Sequence, residues 1–137
     1  MRKKAFVFVI LSVLIFIFLL YIDTSLNHIR PGVYCVKGME DVGPQIYLYQ
    51  DGTGSFCYAS ASSDWPDGKY YVKNKKVILV DDYTKRKFVF SIHFSGLVYE
   101  QDLSAELPYH DDLTAKDGML FYYNKERTNY YVYNHSS

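Results

Sequence analysis

Cysteine is scarce in this chain: Cys35 and Cys57 are the only two in 137 residues. That excludes a disulfide-dense scaffold and a cysteine-rich zinc module. Net charge is also missing, with 15 basic and 15 acidic side chains. Setting aside Arg2, Lys3, Lys4 and Asp23 leaves 12 basic and 14 acidic residues from Thr24 onward. Such a balance offers no basic face to neutralise phosphates, so nucleic acid is excluded as a partner. No helical periodicity persists after Ile22, and there are no internal repeats or low-complexity tracts. Catalytic motifs are absent too. Ser104, His110 and Asp111 have no Gly-x-Ser-x-Gly elbow around them. His110-Asp111-Asp112 are consecutive, and consecutive side chains point apart instead of converging on one ion. No enzyme, metal site or cofactor is expected.

What the chain has is a long apolar run. Residues 5–22 are broken only by Ser12 and carry no charge. Eighteen residues at about 1.5 Å each give roughly 27 Å of helix, close to the hydrocarbon thickness of a bilayer. A helix this apolar has no polar face to turn to water. Three cations precede it and Asp23 follows, so the positive-inside bias puts residues 1–4 in the cytoplasm and the rest outside. Tyr21 falls where a ring suits the headgroup layer. The expectation is a single-pass signal anchor. The competing reading is a cleaved signal peptide, but no Ala-x-Ala-like site follows the run and Cys35 sits in no lipobox.

Residues 23–31 read as a linker, and residues 32–137 as a β domain. Tyrosine is abundant, 15 in all, and favours half-buried pleated surfaces. Short alternating runs separated by turn residues predict strands at 32–37, 45–50, 55–59, 69–73, 77–80, 87–94, 97–101 and 119–123. Asp51-Gly52, Asn74-Lys75 and Ser95-Gly96 mark turns. Residues 102–116 read as a polar loop, and 129–133 as a ninth strand or a frayed end. The fold expected is all-β: an antiparallel meander closed into a small lipocalin-like barrel, or a sandwich, since either hides its edges. Phe90 is placed in the middle of the sixth strand and in the core.

Two resemblances accompany this reading. Gly32-Val33-Tyr34 resembles the opening Gly-x-aromatic of lipocalin-like barrels. A second runs through Leu48-Tyr49-Gln50-Asp51-Gly52-Thr53, Phe56-Cys57-Tyr58-Ala59-Ser60, Gly68-Lys69-Tyr70, Lys87-Phe88-Val89-Phe90 and Asp117-Gly118-Met119-Leu120-Phe121. It is similar to the small extracytoplasmic β domain at the C-terminus of clostridial antirepressor metallopeptidases of the penicillinase-regulator type. That resemblance implies a fold and a location. It implies no activity, because the chain lacks the His-Glu-x-x-His and Ser-x-x-Lys motifs.

The aromatic residues supply the candidate binding groups. Trp65, beside Pro66 in a loop, is the expected partner anchor, with Tyr47, Tyr49 and Tyr71 as further contacts. The alternative for these rings is packing within and between strands, and for Trp65 a cap over one barrel end. Cys35 and Cys57 are a candidate disulfide outside the cytoplasm. In a meander, however, strand two separates them by about 9.6 Å, beyond the roughly 7 Å reach of a bridge. Alternation places them together on the outer face, where free thiols would be open to alkylation. The function expected is a membrane-anchored binding or accessory module for a protein or envelope component. The alternative is a small-ligand carrier using the barrel lumen.

Overall fold

The computed structural model describes residues 1–59, 65–100 and 114–133. Among these residues an apolar helix, α1 (Arg2–Leu26), leads into eight strands and a short second helix. The strands are β1 (Gly32–Cys35), β2 (Gln45–Leu48), β3 (Thr53–Cys57), β4 (Asp67–Lys73), β5 (Lys76–Asp81), β6 (Lys87–His93), β7 (Gly96–Glu100) and β8 (Leu120–Asn124). Helix α2 is Lys125–Tyr133. Each strand pairs antiparallel with the next, and β8 returns to pair with β1 through Tyr34↔Tyr123. The sheet is therefore a closed up-and-down barrel and not a sandwich. Closure removes both edges, which would otherwise present unpaired backbone groups.

The alternation of β5, β6 and β7 sorts side chains cleanly. Val77, Leu79, Phe88, Phe90, Ile92, Leu97 and Tyr99 point inward and are buried. Phe90 is fully buried at the centre of β6. Phe56 enters from β3 and meets Phe90 edge-on at 5.1 Å and Phe88 at 5.5 Å. Large rings thus fill the lumen from several strands.

The turns follow local chemistry. Asn74 and Lys75 both have positive φ, 51° and 60°, which gives the two-residue turn whose twist suits a hairpin. At the β2–β3 turn, the Asp51 carboxylate accepts from the Thr53 backbone N–H at 2.9 Å and its hydroxyl at 2.6 Å.

Two elements differ from the sequence expectation. Residues 129–133 belong to a helix, not a ninth strand. Asn124 caps it, its Oδ1 accepting from the Arg127 N–H at 3.0 Å, and Glu126 sits in the first turn. The expected linker, 23–31, is largely structured. Helix α1 continues to Leu26, and Leu26 and Ile29 pack against the barrel core. Helix α1 is long and apolar enough to cross a membrane, and none of its most apolar stretch is buried by the protein.

Candidate functional site

Helix α2 turns back from the end of β8 and lies over the outer face of β1. Thr128 fixes it there. Its Oγ1 accepts from the Val33 backbone N–H at 2.9 Å and donates to the Asn124 carbonyl at 2.7 Å. The close approach requires Gly32: a Cβ there would lie 2.7 Å from Thr128 Oγ1 and 2.4 Å from the Tyr123 ring. Beneath the helix lies a second small core of Val33, Cys35, Tyr47 and Cys57, with Tyr49, Tyr122 and Tyr131 packed around it. This explains why every residue of β1 and β2 is buried. The lumen covers one face, and α2 with its neighbours covers the other.

The rings form a continuous row. Trp65 stacks on Tyr47 with centroids 6.2 Å apart and planes 14° from parallel. Tyr131 meets Tyr47 edge-on at 5.6 Å, and Tyr130 meets Tyr131 at 5.0 Å. Trp65 is 43% exposed and Tyr130 64%, so the row is open at both ends and buried in the middle. Burial, reinforced by Tyr131, raises the Tyr47 phenol well above its ordinary range. Its hydroxyl donates to Gln45 Oε1 at 2.5 Å.

Beside this row is a cleft of about 630 Å³ between α2, β8 and the β1–β2 loop. Glu40, Asp41, Tyr122, Arg127, Tyr130 and Tyr131 provide most of its lining. Its polar groups are held in place. Tyr122 donates to Glu40 Oε1 at 2.6 Å, and that bond holds the Glu40 carboxyl below its usual range. Arg127 donates to Gln45 Oε1 at 3.2 Å and pairs with Asp41. Gln45 Nε2 donates to the Glu40 carbonyl at 2.7 Å. The cleft thus offers aromatic faces, three carboxylates and one guanidinium, of which Glu40, Asp41 and Arg127 are held by the contacts above.

Of the residues expected from sequence, the structure brings Trp65, Tyr47 and Tyr49 to one outer-wall cluster. Tyr47 is a buried support, not a contact surface. Tyr71 lies elsewhere, 42% exposed on β4 opposite Ile78 of β5. Glu40, Asp41, Arg127, Tyr130 and Tyr131 were not anticipated. The signal for the last three was the Asn124 cap, which sets a helix and so one face for Arg127, Tyr130 and Tyr131. Ser104, His110, Asp111 and Asp112 lie outside the described residues. Among the described residues, no group of three His, Cys, Asp or Glu is arranged to hold a metal.

Cys35 and Cys57 are both free thiols. They flank Gln45, which pairs with Cys35 on one side and Cys57 on the other. The exposure expected of an outer-face pair does not hold, because the α2 cluster buries both. Burial pushes each thiol up to about 11. Maleimide at neutral pH should therefore label neither cysteine in the folded protein and both in denaturant. Rapid labelling of the native chain would show that α2 does not stay docked. The folded thiols ionise later than their ordinary value of 9.0. Their contribution to stability is intact below that value and is lost as pH rises through about 11.

Compared with known proteins, the chain matches no family model, no curated protein and no solved structure.

Proposed function

We propose that this chain is a single-pass, membrane-anchored binding module without catalysis of its own. Its N-terminus is cytoplasmic, its barrel lies outside, and it recognises a protein or envelope component. The observation that carries the reading is the α2 cleft, where aromatic faces adjoin fixed hydrogen-bonding groups on an outer wall. Exposed large aromatics beside ordered polar groups are the usual makings of a recognition surface. Three carboxylates against one guanidinium favour a neutral or cationic partner. Aromatic filling of the lumen supports wall binding over lumen binding. Arg2, Lys3 and Lys4 ahead of the apolar run of α1 support the orientation through the positive-inside bias.

The test is a photo-crosslinking residue in place of Tyr130, in the full chain in intact membranes. A discrete adduct is expected at this position. It should be absent with the crosslinker at Tyr83, 94% exposed in the β5–β6 turn. It should also be lost on Trp65→Ala, which truncates a half-exposed ring and costs only about 1–2 kcal/mol of stability. Equal adducts at both positions, or none at Tyr130, would sink the proposal.

A further inference from the structure

Helix α1 enters the barrel at one definite end. Strands alternate in direction, so the β2–β3, β4–β5 and β6–β7 turns lie at the end where α1 enters, and the β1–β2 and β3–β4 connections lie at the other. Three contacts fix the depth of that end. Lys75 Nζ lies 3.1 Å from Asp23 Oδ1, and the Lys75 backbone N–H donates to Asn27 Oδ1 at 3.1 Å. The Lys75 carbonyl accepts from the Ile92 N–H at 2.8 Å, which ties the β6–β7 hairpin to the same level. Phe94, at the tip of that hairpin, borders a cavity of about 250 Å³ together with Ser25 and Leu26 of α1.

The helix supplies the scale. If residues 5–22 span the hydrocarbon, the turn from Asp23 to Leu26 rises only about 6 Å further. The headgroup layer on each side is itself roughly 5–7 Å thick. A hairpin level with Asp23 and Leu26 therefore stands in that layer. Phe94 has the matching chemistry. Of the five phenylalanines outside α1, Phe56, Phe88, Phe90 and Phe121 are buried, whereas Phe94 is 75% exposed. Lys73 is exposed on the neighbouring hairpin and adds a cation at the end where α1 enters.

We infer that the β6–β7 hairpin is a second membrane contact, with Phe94 inserted among the lipids of the leaflet into which α1 emerges. The inference rests on the anchor reading of α1. A ring in water at that depth would forgo burial that lies within its reach. Together with α1, this contact gives the barrel two points of attachment and so one tilt.

Trp65 is the only tryptophan, so a Trp65→Phe background makes a site-specific fluorescent probe simple. Three versions of the full chain, carrying Tyr21→Trp, Phe94→Trp or Tyr83→Trp, are reconstituted in phosphatidylcholine vesicles with or without acyl-brominated lipid. Expected are blue-shifted emission and bromine quenching at 21 and at 94, and red-shifted, unquenched emission at 83. Quenching at 21 with red, unquenched emission at 94 overturns the hairpin contact and leaves the anchor standing. Blue-shifted but unquenched emission at 94 means that protein covers the ring, which also overturns the lipid assignment. No quenching at 21 removes the anchor and the inference with it.

Discussion

Phe56→Ala should leave the β domain unfolded or barely folded at 37 °C. Phe56 is fully buried, and its ring lies 5.1 to 6.2 Å from those of Tyr58, Phe88, Phe90, Tyr99 and Phe121. These neighbours come from β6, β7, β8 and the residue just after β3, so one side chain joins opposite walls of the barrel. Truncating a buried phenylalanine costs about 3–5 kcal/mol, because transfer energy is lost and a cavity remains. A small domain holds only about 5–15 kcal/mol in all. The closed sheet cannot collapse inward without breaking its ladder, so little of the cavity can be recovered. Phe90→Ala should behave alike. Thermal unfolding of the full chain, followed by near-UV circular dichroism, reads the effect. A Tm within a few degrees of the parent for Phe56→Ala would mean that the lumen is looser than described.

Gly96→Ala should be as damaging, by a different route. Gly96 has φ +145°, and a Cβ there would lie 2.0 Å from the Phe121 carbonyl oxygen and 2.9 Å from its carbon. The obstacle is backbone, so no side-chain rotation relieves it. It also falls on the seam that has the fewest paired residues among those described. Among the described residues, strands β7 and β8 are in register through Leu97↔Phe121 and Val98↔Leu120. Forcing them apart strains the backbone and opens the ladder, at about 3 kcal/mol or more. Gly52→Ala is the control. Gly52 has φ +85° but open space around its missing Cβ, so only the conformational penalty of about 1–2 kcal/mol applies. Equal Tm losses for the two variants would show that the seam, and not just the glycine, is misplaced.

Much of this fold was legible in the chain. Strands announce themselves by a period of two, and β5 to β7 keep that period without exception, as at Phe88, Phe90 and Ile92. Turns were legible at Asp51-Gly52 and Asn74-Lys75 for equally local reasons. Closure was expected from the need of eight short strands to hide their edges, with a sandwich as the alternative; the particular partners were not legible, because alternation assigns faces but says nothing about which distant strand an edge will meet. The Tyr34↔Tyr123 pairing belongs to that class. Helix α2 was missed because Tyr130, Tyr131 and Tyr133 favour strands, while the cap at Asn124 spoke for the helix. With α2 misread, the cleft could not be assembled from sequence. Only the Trp65–Tyr47 end of it was in view, and Arg127 and Glu40 were not.

The first and last strands of the barrel are partners, and this sets an order in time. As the polypeptide grows from its N-terminus, β1 is made early but must wait for β8 before its second edge is paired, and for α2 before Val33 and Cys35 are covered. Until then the chain is an open sheet with a sticky margin, and long-range closure of this kind is slow. Every nascent copy therefore passes through an interval in which two neighbours could join edge to edge. The hazard ends only when the last stretch of chain arrives, so truncation before Leu120 would be expected to yield aggregates rather than a smaller barrel.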